Sequence, residues 1–131
     1  MEKSLVGRIM TEFRVLVCGG RDYDNREKLF GALDRSLEAA TMAGRTFVLI
    51  HGGARGADSL SHEWATARQV SDVRVYEADW NRHKKAAGPI RNKLMLTKEN
   101  PHVIIACKGG NGTAHMMKIG RQAGVPVMEI E

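Results

Sequence analysis

Five short apolar runs rich in β-branched residues alternate along this chain with segments of helical spacing, and that alternation constrains the fold more than any other feature. The runs are Arg14–Cys18 (RVLVC), Thr46–Ile50 (TFVLI), Val73–Ala78 (VRVYEA), His102–Cys107 (HVIIAC) and Val125–Ile130 (VPVMEI). Most are apolar throughout rather than alternating with polar residues, the pattern of strands buried on both faces of a parallel sheet. Between them, Arg26–Ala43, Ala57–Gln69, Ala87–Lys98 and Thr113–Ala123 carry apolar residues at three- and four-residue spacing and read as helices. Gly44 and Gly124 stop the first and last of these, and Pro89 belongs to the first turn of the third. Strand–helix–strand units of this kind close as right-handed crossovers. The expected class is therefore α/β: a Rossmann-like, three-layer α/β/α domain around a five-stranded, mostly parallel sheet. Pro126 places the last strand at an edge.

A chain of 131 residues with 43% hydrophobic composition supports one core, so residues 14–131 are expected to form a single domain behind a flexible leader, 1–13. The start lacks the apolar stretch of a signal peptide and no run reaches membrane-spanning length, which makes the cytoplasm the expected location with no membrane partner. The two cysteines, Cys18 and Cys107, each end an apolar strand and read as small buried residues. Five histidines without ligand spacing predict no metal site, and no cofactor is expected. A net charge of +5 favours anionic partners without naming them.

The chemistry concentrates where strands end. Gly19-Gly20-Arg21-Asp22, Gly52-Gly53-Ala54-Arg55-Gly56-Ala57-Asp58 and Gly109-Gly110-Asn111-Gly112-Thr113 each follow a buried strand and open a helix. In an open parallel sheet such loops converge at the carboxyl edge, where a backbone free of side chains can approach a ligand and helix N-termini favour phosphate. None is a P-loop, since no Gly-Lys-Ser/Thr follows, and none carries the full dinucleotide fingerprint. Arg91, at the start of the third helix, could hold phosphate bidentately. Asp58 and Asp79 could accept from ribose hydroxyls or activate water; Asp58 could equally cap its helix. Trp80 could stack on a base or pack locally. His51 precedes a glycine loop and is open to either strand-end packing or ligand contact.

The segment Arg91-Asn92-Lys93-Leu94-Met95, followed by an apolar strand and then Gly109-Gly110-Asn111-Gly112-Thr113, resembles the R-x-x-x-M … P-G-G-x-G-T-x-x-E signature of LOG-like "lysine decarboxylase" proteins, which are nucleotide phosphoribohydrolases. With CGGRDY near the start, HGGARGAD in the middle and the AGPIRN run, the chain resembles the YspA-type branch of the SLOG superfamily from residue 14 to 130. The resemblance implies a nucleotide-derived ligand and a sheet order of 3-2-1-4-5. It implies that Arg91 matches the catalytic arginine and that Gly109, Gly110, Gly112 and Thr113 match the phosphate loop. Two positions depart from the signature: Lys108 stands where the loop-opening proline should, and Met116 where the catalytic glutamate should. A thioether is no general base, so Asp58, Asp79 or Glu63 would have to supply one. The leading expectation is binding or sensing of a nucleotide such as a nucleoside monophosphate or ADP-ribose. Hydrolysis of a nucleotide N-glycosidic bond is the alternative. The GARGAD run also resembles a DprA-type loop, which with the Arg82-His83-Lys84-Lys85 cluster keeps single-stranded DNA binding as a third expectation. Amphipathic helices on a parallel sheet also leave apolar faces for homo-oligomer formation.

Overall fold

The apolar runs become strands of one sheet because either face of each must be covered. The computed structural model describes residues 11–131. Its strands are β1 (Glu12–Cys18), β2 (Thr46–His51), β3 (Val73–Val75), β4 (Val103–Cys107) and β5 (Val127–Ile130). All pair in parallel, in the order β3-β2-β1-β4-β5. The helices are α1 (Arg26–Met42), α2 (Ala57–Ala67), the single turn α3 (Trp80–His83), α4 (Ala87–Glu99) and α5 (Asn111–Gln122), with a 3-10 turn at Lys84–Ala86. The chain winds outward from β1 to β3, then returns across the sheet to β4 and β5. That reversal opens a crevice between the carboxyl ends of β1 and β4, the topological switch point of such sheets.

Alternate residues of each strand feed two hydrophobic layers. Val15, Val17, Leu49 and Ile105 pack with Leu29 and Leu33 of α1 and Trp64 of α2 on one face. Leu16, Ile50 and Ile104 pack with Met95 of α4 and Met116 of α5 on the other. Trp64 is fully buried, and its indole N–H donates to Asp34 Oδ1 at 2.8 Å, which satisfies the one polar atom the ring brings inside. Cys18 and Cys107 are buried and unpaired. No helix of the described residues is long and apolar enough to cross a membrane.

Several boundaries shift by one or two residues, and three differences from the sequence expectation bear on the site. β1 starts at Glu12, so Glu12 and Phe13 belong to the sheet rather than to the leader, whose residues 1–10 lie outside the described region. β3 has only three residues, because after Val75 the chain makes one further bond, Tyr76 N–H to His51 O at 2.9 Å, and then leaves the sheet. The residues after it form α3 and the 3-10 turn, which the sequence pattern did not predict.

The amino edge of the sheet is closed by charge. The Arg74 guanidinium bridges Asp72 at 3.0 Å, Glu12 at 2.9 Å and Glu99 at 2.8 Å. Glu99 also accepts from Tyr76 Oη. Arg14 Nε donates to the Glu99 carbonyl at 2.7 Å, Arg45 Nη2 donates to the Glu12 carbonyl at 2.7 Å, and His102 Nδ1 accepts from Arg14 N–H at 2.9 Å.

Candidate functional site

The glycine loops lock to one another at the carboxyl edge. Gly20 N–H donates to the Lys108 carbonyl at 3.1 Å, and the Gly20 carbonyl accepts from Ala57 N–H at 3.2 Å, so the first loop is tied to both others. Gly56 makes this possible: its φ is +80°, and a Cβ there would lie 2.2 Å from the Gly20 oxygen.

Around these loops lies a cleft of about 480 Å³, within the usual size of small-molecule sites. It brings together Gly19, Gly20, Arg21, Gly52, Asp58, Trp80, Arg91, Gly110, Asn111, Gly112 and Thr113 of the expected site residues. Val17, Cys18 and Met95 supply apolar lining. An adjoining groove of about 400 Å³ shares Arg21, Gly52, Ala54, Trp80 and Arg91 with it, and adds Gly53, Arg55, Glu77 and Ala78. The remaining expected residues serve other purposes or face other surfaces. Gly56 and Gly109 pack loop against loop. Asp22 is almost fully exposed and lies 3.9 Å from Arg55. Asp79 caps α3 by accepting from Arg82 N–H at 3.2 Å and does not line the cleft. Glu63 is exposed and pairs with Arg26 at 2.8 Å.

The third loop opens α5 without a side-chain cap, and added Cβ atoms at Gly110 and Gly112 would meet nothing within 4 Å. First-turn N–H groups without an intrahelical acceptor carry partial positive charge and suit an anion. Arg91 reaches the second loop from α4: Nη1 donates to the carbonyls of Gly52 at 2.6 Å and Tyr76 at 3.2 Å, and Nε donates to Asn92 Oδ1 at 3.1 Å. Its Nη2 has no partner among the described residues. Burial pushes its pKa down, and the nearby Asp58 opposes that. Asp58 is buried in the first turn of α2, where Oδ2 accepts from the N–H groups of Gly52 at 3.1 Å and Ala54 at 3.2 Å. Burial raises its carboxyl to about 6, although those N–H bonds and Arg91 favour the carboxylate. Asp58 thus both braces the second loop and lines the cleft.

Trp80 stands half-exposed in the wall with the Arg21 guanidinium 5.2 Å from its ring centroid, a cation–π contact. His51 does not line the cleft. Its Nδ1 accepts from Gly53 N–H at 3.0 Å and its Nε2 meets His62 Nδ1 at 2.9 Å, so it holds the second loop from beneath. Burial first, then His62 and Arg91, push its pKa down to about 4.

Lys85, Asn92 and His115 also line the cleft; from the sequence Lys85 stood out only as one of the Arg82-His83-Lys84-Lys85 cluster, and Asn92 and His115 were not singled out as site residues. The orientation of Asn92 follows from unambiguous partners. Oδ1 faces the donor Arg91 Nε, so Nδ2 faces the Gly112 carbonyl at 3.2 Å and His115 Nδ1 at 3.2 Å. His115 Nδ1 is therefore an acceptor, and the neutral ring carries its proton on Nε2. The AGPIRN run contained Asn92, but its partners depend on how α4 meets α5. Met116, where the hydrolase signature has its glutamate, is fully buried between α5 and the sheet.

A family model described as YspA, cpYpsA-related SLOG family matches residues 13–83, more than half of the chain. The chain belongs to this SLOG family. The matched region holds the first two glycine loops, Asp58 and Trp80; Arg91 and the third loop lie beyond it. The Gene 61 protein of Mycobacterium phage D29 is 34% identical over 121 residues, covering 88% of this chain and 94% of that protein. No solved structure matches the chain significantly.

Proposed function

We propose that the carboxyl-edge cleft binds a nucleotide or nucleotide-derived phosphate, such as a nucleoside monophosphate or ADP-ribose, and that the protein is a binder or sensor of it. One observation carries this proposal. The uncapped N-terminus of α5 shares a cleft with Arg21, Lys85 and Arg91, none of which has a carboxylate within ion-pair distance among the described residues. A helix N-terminus and several uncompensated cations favour phosphate, while Trp80 and the apolar lining suit a base. Membership of the SLOG family supports a nucleotide-related function.

A thermal-shift panel of AMP, NAD, ADP-ribose and oligo-dT at two salt concentrations tests it. A bound ligand at about 100 times its Kd adds roughly 2.7 kcal/mol to stability. The expected result is a salt-tolerant upward shift with a small nucleotide that is lost in Arg91→Met. A shift with oligo-dT alone, vanishing at high salt, would transfer the cleft to single-stranded DNA. Hydrolysis has one observation in its favour: Asp58 is a buried carboxyl in the cleft with a pKa near 6, a suitable range for a general base. Base release from a nucleoside monophosphate that disappears in Asp58→Asn would make the protein an enzyme. Absence of release across all common monophosphates rejects that alternative.

A further inference from the structure

Three successive amides of the second glycine loop are held by titratable side chains. Asp58 Oδ2 accepts from Gly52 and Ala54, and His51 Nδ1 accepts from Gly53 between them at 3.0 Å. Gly53 lies in the left-handed region, with φ +70°, and lines the groove beside the cleft. The two braces answer acid differently. Both Asp58 bonds end on one oxygen, so a proton can settle on Oδ1 and leave them made. An imidazole nitrogen has a single lone pair, and a proton on His51 Nδ1 ends its bond to Gly53.

His51 is buried, yet its ring is linked to solvent. A backbone N–H can only donate, so Nδ1 is unprotonated and the neutral ring carries its proton on Nε2. That nitrogen meets His62 Nδ1 at 2.9 Å, with the rings edge to face at 88° and their centroids 5.1 Å apart. His51 Nε2–H therefore donates to His62 Nδ1, and His62 holds its own proton on Nε2. His62 belongs to α2 and is exposed. The donors run one way, from Gly53 through His51 to His62. The surroundings keep the buried ring neutral: His62 of α2 and Arg91 of α4 both oppose a positive charge on it, and its partner on β3 is the apolar Val75. Two carboxylates face the loop itself, Asp58 from α2 and Glu77 from the segment after β3. Glu63, the neighbour of His62, is paired with Arg26 at 2.8 Å.

We propose that His51 and His62 form a proton-operated latch on the second loop: the neutral rings pin Gly53, and a proton entering at the exposed His62 releases it. His62 can take up a proton only at Nδ1, which already accepts from His51. Two donors then face each other across the contact. One relief is for the rings to part, which takes from His51 the bond that sets its tautomer. The other is for His51 to carry its proton on Nδ1 instead, with its charge unchanged, where it displaces the Gly53 N–H. Either way the loop loses a brace along the groove. The latch belongs to the loop and holds whether or not the cleft takes a nucleotide.

Nuclear magnetic resonance of the ligand-free chain tests it. Imidazole nitrogens and loop amides are followed from about pH 8 to about pH 5, which spans ordinary histidine titration. At the alkaline end both rings are expected as the Nε2–H tautomer. As His62 takes up its proton, protection of the Gly53 amide against hydrogen exchange, corrected for the intrinsic rate, should fall about tenfold, the scale of one hydrogen bond. His62→Asn puts an amide oxygen where Nδ1 stood and does not titrate. In that variant Gly53 keeps its alkaline protection throughout, while any change that Asp58 causes at Gly52 and Ala54 persists. A His51 ring protonated on Nδ1 at the alkaline end would overturn the latch. So would a Gly53 amide whose protection stays level across the range, or one that falls equally in wild type and His62→Asn.

Discussion

Charged side chains gather at both ends of the sheet, and the two ends handle them in opposite ways. At the amino edge, Arg74 meets three carboxylates, and two of those, Glu12 and Glu99, are largely buried. Arg14 pairs with Glu12 at 3.4 Å and, like Arg45, donates to backbone carbonyls there. At the carboxyl edge, Arg21 lies over an indole ring and Arg91 donates to carbonyls, and among the described residues neither they nor Lys85 has an ion-pair partner. Pairing a charge inside the protein satisfies it; leaving cations together in a cleft keeps their attraction for something that arrives later. Close, largely buried ion pairs therefore mark the amino edge of this sheet, while Arg21, Lys85 and Arg91 of the carboxyl-edge cleft make none among the described residues.

The sharpest way to break this contrast is to remove what shapes the carboxyl-edge cleft, which is steric rather than electrostatic. Gly56→Ala puts a side chain at φ +80° and against the Gly20 carbonyl. It should cost about 3 kcal/mol or more in urea unfolding and abolish nucleotide binding in whatever fraction folds. Next, Arg74→Met leaves the Glu99 carboxylate without its cation and Glu12 with Arg14 alone. A loss of about 3 kcal/mol is expected, with nucleotide affinity near wild type at temperatures where the variant is folded. An Arg74→Met protein as stable as the wild type would mean that the amino edge is not held by its ion pairs.

A pH series sharpens the same contrast at the second loop. Asp58 titrates near 6 when folded and near 3.8 otherwise. Between those values the folded state binds more protons, so this group adds stability as pH falls from 6 to 4. His51 titrates near 4 when folded against 6.5 otherwise, so there the unfolded state binds more protons and acidification removes stability. The two slopes oppose each other over that window. Asp58→Asn removes only the first, and should lose about 2 kcal/mol more than the wild type between pH 6 and pH 4 when unfolding is followed at each pH. Equal losses would mean that Asp58 does not titrate as a buried acid. The smallest effect belongs to Lys85→Ala, which should weaken AMP about threefold and leave the melting temperature alone, since Lys85 is exposed and unpaired.

How much of this was legible depended on how far a signal reaches along the chain. The starts of β2, β3, α1, α2 and α4 could be read from apolar periodicity and from Gly44 and Pro89, because those signals are local. The sheet order could not; it came only with the family resemblance, since nothing in RVLVC says that HVIIAC lies beside it. α3 was missed because a four-residue turn has no period, and its cap, Asp79, looked like chemistry. Glycine loops announced the site, yet Asp22 points to solvent, and the side chains that complete the cleft were harder to find. Asn92 and His115 sit on different helices and acquire their roles only where α4 meets α5, with Gly112 between them. Lys85 lay within a visible basic cluster, but only the 3-10 turn decides which member of that cluster faces the cleft.

The turn from Trp80 to Ala86 contains no buried side chain, although Trp80 and Lys85 border the cleft. Substitutions in a segment of that kind cost the core almost nothing, whereas Gly19, Gly20, Gly56 and Gly109 opposite leave no room for a side chain. Lineages descending from such a protein can therefore reshape one wall of the crevice by rewriting these seven positions while the rest is inherited intact.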